Sequence, residues 1–266
     1  MLNREYRAEL IRKYARSPED DELLARLLDK VDIHERSGLM QHSRFLSERD
    51  RLCCEPVLRA LGKAALFWGG YPEAERTVLI LPAEWQDKDS VKQGDSGPVA
   101  VLRASFRVEE SLSHRDFLGA LMGLGIERDL VGDILPREGS CDLVLLREIV
   151  PYVMQNLSSA GRASLTLTEI PEAEAREAEF RLIRDTVASL RLDAVVGCGF
   201  GLAREKAAAA IRAGKAAVNS MECLKPDKLV EAGDRISLRG LGKIQLSEVG
   251  GLSRKGRTQI VIKRFV

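Results

Sequence analysis

Apolar residues follow two different periods along this chain. Through residue 70 or so they recur at three- and four-residue spacing. EDDELLARLLDKVDIHERSG places Leu23, Leu24, Leu27, Leu28 and Val31 on one helical face and closes at Gly38. EYRAELIRKYARS predicts a preceding helix that stops at Pro18, and SERDRLCCEPVLRALGK a third, kinked or broken at Pro56. With Gly69-Gly70 as the closing signal, residues 1–72 are expected to form a helical region.

The next segment is richer in β-branched and aliphatic runs. RTVLILPA and VAVLRASFRV predict strands, separated by a loop that holds Gly94, Gly97 and Pro98. SHRDFLGALMGLG predicts a helix with Ser113 as N-cap, Asp116 three residues on and Gly125 as its stop. GDIL and CDLVLL follow as strands, EIVPYVMQNLSSAG as a helix and ASLTLTEI as a last strand. After the leading RTVLILPA strand the order is β-α-β-β-α-β, so residues 73–171 are expected to be a ferredoxin-like domain. Sheets of this kind can bind RNA, but the aromatic signature of such binders is missing and Phe106 alone does not replace it. The domain therefore reads as a packing or docking scaffold rather than a base-stacking platform. PEAEAREAEF contains an acidic linker, residues 172–180, or begins a helix leading into the last domain.

In residues 181–266 the helical signals are short. RLDAVVGCGFG predicts a helix with Asp193 near its start and the glycines in the turn after it. LAREKAAAAIRAG predicts a second, with Ala203, Ala207, Ala210 and Ile211 on one face and Gly214 at its end. KAAVNSMECL reads as a hairpin turning at Asn219 and Ser220. Beyond the Gly233-Asp234 turn, a strand points Ile236 and Leu238 inward and Arg235, Ser237 and Arg239 outward. The expected fold class is α+β.

Composition narrows the function more than the fold. Of the 266 residues 45% are hydrophobic and 30% charged, which fits a folded chain with real cores. No apolar run approaches the roughly 18 residues a membrane span needs, and MLNREYRAEL lacks a signal-peptide core. A cytoplasmic protein with no membrane contact is expected. Five cysteines form no Cys-x-x-Cys pair, and His34, His42 and His114 include no i,i+4 pair, so buried thiols are expected and no metal or other cofactor. The net charge of +1 hides an asymmetry: residues 181–266 hold 17 Lys/Arg against 8 Asp/Glu, and the first 180 hold 24 against 32. A basic end on an acidic body points to a polyanionic partner.

Several enzyme-like strings compete with that reading. His114-Arg115-Asp116 imitates a kinase catalytic loop, but Leu121 stands where an Asn belongs and no kinase glycine loop precedes it. Asp193 followed by Gly197, Gly199 and Gly201 imitates an S-adenosylmethionine loop, with Glu222 about where a ribose-binding acid would be sought. Too few residues follow to complete a doubly wound sheet. No nucleophile elbow is present. The Arg-Leu-Asp string of a pseudouridine synthase occurs at Arg191 to Asp193, inside the basic region, without the large domain such an enzyme needs. No enzyme is expected.

The strings RLD, LAREKA, IRAGK, VNS, KP and GDRI, in this order between Arg181 and Gly240, resemble the S4-type RNA-binding domain, or alpha-L motif. The resemblance departs at Ala203, where Ser is usual, at Glu205, an acid among cations, and at Ser220, often Gly. GGYPEAER (Gly69 to Arg76), HRDFLGALMGLGIERDLVGDI (His114 to Ile134) and RGLGKIQL followed by KGR (Lys255 to Arg257) are similar to the YlmH-like family of bacterial S4-domain proteins. What this implies is a non-catalytic protein that binds ribosomal RNA or a ribosome–tRNA complex, in ribosome quality control, with links to cell division. Carried onto this chain, the implied RNA contacts are Arg191, Arg204, Lys206, Lys215 and Asn219. Arg239, Lys243, Arg254, Lys255 and Arg257 would extend the surface. The alternatives are an RNA-modifying methyltransferase built on the Gly197–Gly201 stretch, and a cell-division adaptor that uses the acidic first two-thirds to bind a protein partner. A monomer is expected.

Overall fold

Pro18 opens a helix rather than closing one. Ser17 accepts a hydrogen bond from the Asp20 N–H and the proline takes the first helical position, where a missing N–H costs nothing. It thus separates α1 (Arg4–Tyr14) from α2 (Pro18–Ser37). The computed structural model describes residues 2–92, 97–174, 180–253 and 255–265, which fall into two units, Met1–Arg176 and Glu177–Val266.

In unit 1 the expected helical region contains strands. β1 (Gln41–Leu46), α3 (Glu48–Ala60, continuing through Pro56) and β2 (Leu66–Trp68) precede β3 (Thr77–Leu81), and the sheet order is β1–β3–β2. QHSRFL buries only Phe45 and Leu46, so no alternation marks it as a strand. Pairing with β3, Phe45 opposite Val78, holds it extended. Every residue of β3 is buried. Leu79 and Leu81 pack with α1, α2 and α3, whereas Val78 and Ile80 pack against a second sheet.

That second sheet follows α4 (Lys88–Lys92) and comprises β4 (Val99–Ser105), β5 (Val131–Arg137), β6 (Ser140–Leu146) and β9 (Thr166–Ile170). Its order is β5–β6–β4–β9, antiparallel throughout. α5 (His114–Gly123) joins β4 to β5. α6 (Val150–Asn156) and the small β7 (Ser159–Ala160) and β8 (Ala163–Ser164) hairpin lie between β6 and β9. Phe117, Leu121, Val150 and Val153 seal one face. The other face, through Val99, Val101, Val144 and Leu146, is closed by Phe45, Val78 and Ile80 of the first sheet. Two sheets therefore lie back to back between two layers of helix.

Two polar nodes fix this stack. Asp133 accepts from the Tyr71 hydroxyl (2.7 Å) and from the N–H groups of Glu75 (2.8 Å) and Arg76 (3.4 Å), which joins the GGYPEAER and ERDLVGDI strings at one carboxylate. The fully buried Asp142 takes Arg103 at 2.8 and 3.0 Å and Arg137 at 2.7 Å. Both arginines also reach the Glu174 carboxylate, at 2.9 and 2.5 Å. The Glu174 N–H donates to Asp142 (3.0 Å) and the Ala173 N–H to the Gly70 carbonyl (3.1 Å). The start of the expected linker is thus fastened to unit 1, and residues 175–179 lie outside the described residues.

Unit 2 opens with a strand, not a helix. β10 (Phe180–Val187) pairs along its whole length with β15 (Thr258–Phe265). β11 (Ala216–Val218), β12 (Met221–Glu222), β13 (Arg235–Leu238) and the long β14 (Gly242–Leu252) complete an antiparallel sheet of order β10–β15–β14–β13–β11–β12. α7 (Leu192–Phe200) and α8 (Arg204–Arg212) cover one face through Leu192, Val195, Val196 and Ile211.

Candidate nucleic-acid interface

The start of α7 is locked by a loop. N–H groups of Leu192 and Asp193 donate to the carbonyls of Lys228 (2.8 Å) and Pro226 (2.9 Å). This holds the Asp193 side chain inward, 5% exposed, where two guanidiniums close on it: Arg191 at 3.2 and 3.1 Å and Arg204 at 3.2 and 3.4 Å. Burial alone would raise the Asp193 carboxyl, but the hydrogen bonds and charges of Arg191 and Arg204 hold it below the usual carboxylate range. The group stays ionised and the triad carries one net positive charge. The arginines keep 36% and 58% of their side-chain surface exposed, so they are oriented from behind and open in front.

α8 begins beside them without a side-chain cap. Ala203 occupies the N-cap and has no side-chain acceptor to offer the first-turn N–H groups. Uncapped N–H groups at a helix start favour an anion, and Lys206 is exposed on that same turn. Glu205 is exposed there too. Ala203→Ser is expected to raise the stability of the protein by about 1 kcal/mol, the usual worth of such a cap, in chemical denaturation. No gain would mean that the first-turn N–H groups already have a partner.

The other sequence-derived residues are dispersed. Lys215 lies past the far end of α8, a helix of about 14 Å, beside Arg239, whose N–H donates to the Lys215 carbonyl (2.8 Å). Asn219 has φ 49° and its amide is used internally. It donates to Asp234 (2.7 Å) and accepts from the Arg235 N–H (2.9 Å), so it shapes the hairpin turn. Lys243 stands on β14 opposite Ser237. Arg257 donates to Thr186 through Nε (3.0 Å) and through a second contact to the Thr186 carbonyl. It lines a shallow depression with Ser189, Asp193, Cys198 and Arg204. Lys255 is exposed and Arg254 lies outside the described residues. The fold thus gathers Arg191, Arg204, Lys206 and Arg257, and leaves Lys215, Asn219, Arg239 and Lys243 elsewhere on unit 2. Sequence reasoning missed that Asp193 organises the group. An acid between Arg191 and the helix start was the available signal.

The glycines expected in a turn are helical instead. Gly197 and Gly199 lie inside α7, and only Gly201, at φ 68°, ends it. Gly199 is needed for close packing, because a Cβ there would sit 2.5 Å from Ile244 Cδ1. A helical backbone spends its N–H groups within the helix, so this stretch forms no loop to cradle a cofactor. Asp116 likewise caps its own helix, accepting from the Ser113 N–H (2.8 Å) and hydroxyl (2.7 Å). Burial pushes the Cys141 thiol up to about 12 and, with a hydrogen bond to Asp185, Cys198 up to about 11, values that suit inert thiols. Among the described residues no cluster of three or more His, Cys, Asp or Glu could hold a metal, and no helix is long and apolar enough to cross a membrane.

Comparison with known proteins gives three findings. A family model described as "Putative RNA-binding domain in YlmH" matches residues 106–174. The chain is 32% identical over 232 residues to the "Ribosome-associated protein quality control protein P2" of Bacillus subtilis (strain 168), covering 85% of this chain and 87% of that protein. A solved structure, "Cell division protein ylmH from Streptococcus pneumoniae", matches with a TM-score of 0.50 at 21% identity, over 59% of this chain and 94% of that one. At that identity the likeness concerns the fold alone.

Proposed function

Since the chain belongs to the YlmH-like family, whose domain model is described as a putative RNA-binding domain and one of whose members is named as ribosome-associated, we propose that it binds RNA on the ribosome without catalysing a reaction. In this reading residues 181–266 act as an S4-type domain and residues 73–171 as a ferredoxin-like scaffold, whose four-stranded sheet runs from β4 to β9. The target is ribosomal RNA, or a ribosome–tRNA complex, in ribosome quality control. The observation that carries the reading is the Arg191–Asp193–Arg204 triad beside the uncapped start of α8. It presents rigid guanidinium donors and free backbone N–H groups to one place, which suits a phosphodiester chain recognised by shape and charge.

The triad and Lys206 supply two net positive charges, and Arg257 a third. If each meets one phosphate, the slope of log K against log salt is about −2 to −3. Co-sedimentation of the protein with purified ribosomal subunits should therefore weaken roughly 15- to 60-fold between 50 and 200 mM salt. Binding that ignores salt would reject a phosphate-based interface.

A further inference from the structure

Unit 2 has a second surface, on the side of its sheet away from α7 and α8. Ile183, Ile236, Ile244 and Ile262 point toward those helices. The alternating residues of the same strands point the other way, and none of them is buried. Strand register maps this face. One row across four strands reads Arg235, Gln245, Lys263, Leu182. To one side of it Phe180 stands opposite Phe265, and Lys243 opposite Ser237; to the other Arg184 stands opposite Val261. Phe180 is 45% exposed and Leu182 44%. Lys263 Nζ lies 4.7 Å from the centre of the Phe180 ring, so an aromatic surface and a cation are presented together.

Charge decides what covers this face. Arg184, Arg235, Lys243 and Lys263 lie among its rings and aliphatic side chains. Among the described residues its carboxylates are Glu222 on the edge strand β12 and Glu248 beyond the β14 bulge. Four cations against two carboxylates give the described part of this face a positive potential, which favours a polyanion. A single-stranded polynucleotide has a base for each ring and a phosphate for each cation. Four adjacent strands span about 14 Å, and sheets of that width stack two or three bases on their aromatic residues. The corresponding face in unit 1 is closed by β1 and β3, whereas among the described residues nothing of unit 2 covers this one.

We infer that the bare sheet of unit 2 binds a single-stranded RNA segment, with bases stacked on Phe180 and Phe265 and phosphates on Arg184, Arg235, Lys243 and Lys263. The inference rests on the RNA-binding reading above and adds a surface on the opposite side of the unit from the Asp193 triad. The two surfaces together would hold two stretches of RNA, one folded and one unpaired.

The test measures fluorescence anisotropy of a labelled 12-nucleotide oligouridylate with the full chain. Arg184→Glu with Lys263→Glu is expected to weaken binding at least tenfold. Phe180→Ala, which changes no charge, should weaken it about fivefold or more, and Phe180→Tyr should restore it. Unchanged affinity in Phe180→Ala and in the double variant would overturn the inference while leaving the Asp193-triad surface untouched. That surface is tested separately, by ribosome sedimentation of variants on α8. If the double variant instead turned a wild-type dimer into a monomer in sedimentation velocity, with oligouridylate affinity unchanged, the face would belong to a second copy and the inference would fall.

Discussion

Exchanging Arg204 and Lys206 together for glutamate is expected to abolish co-sedimentation with ribosomes. Each change removes a charge-assisted contact worth about 1.5–3 kcal/mol and adds repulsion, so affinity should fall on the order of 100-fold or more. Arg204 also donates to Asp193, and a glutamate in its place sets a third-party carboxylate against a buried one. A loss of a few degrees in melting temperature is therefore expected for the double variant. Lys206→Glu alone separates the two effects, because Lys206 is exposed on the helix surface. It should weaken sedimentation with an unaltered melting curve. Wild-type sedimentation by both variants would show that this end of α8 does not face the RNA.

The largest stability effect is expected at Asp142→Ala. Asp142 is fully buried and answers Arg103, Arg137 and the Glu174 N–H at once. Removing one partner of a buried ion pair typically costs 3–5 kcal/mol. The arginines here are 27% and 20% exposed and regain some water, so the lower figure, about 3 kcal/mol, applies. For a unit of this size that is roughly 6–12 °C in melting temperature. A shift under about 2 °C would show the node to be dispensable. The node also predicts acid sensitivity. Burial would raise the Asp142 carboxyl, yet hydrogen bonds from Arg103 and the Glu174 N–H, with the charge of Arg137, hold it below its ordinary value; Asp193 is depressed in the same way. A depressed carboxylate contributes its stability fully above the unfolded value, about pH 4. That contribution is lost as the pH falls through the lower folded value, so unfolding at pH 3 should come at a markedly lower temperature than at pH 6.

Local signals were legible where the chain settles its own hydrogen bonds. Ser113 and Asp116 announce α5, the Leu24–Val31 spacing announces α2, and the alternation at Ile236 and Leu238 announces β13. Distant pairing was not. β1 has no strand period of its own, and β10 was given no element by its local sequence because its partner, β15, lies more than seventy residues away. Gly197 and Gly199 looked like a loop because a glycine-rich helix is unusual, and the side chain that demands one, Ile244, comes from another strand. At the candidate interface the cations could be read off the sequence. Their grouping could not, since Arg191 and Arg204 meet only through an aspartate carried inward by the fold of α7.

The back-to-back sheets of unit 1 bear on how its pieces could be moved between proteins. The segment that carries the family's signature, residues 106–174, begins just after β4 ends. Yet β4 is the strand that joins β6 to β9, and its Val99 and Val101 meet the first sheet. Cut out alone, that segment would leave β9 without a neighbour and a row of valines and leucines facing water. It is a signature, not a portable cassette, and a transplant that hopes to stay folded must carry everything from α1 to Glu174.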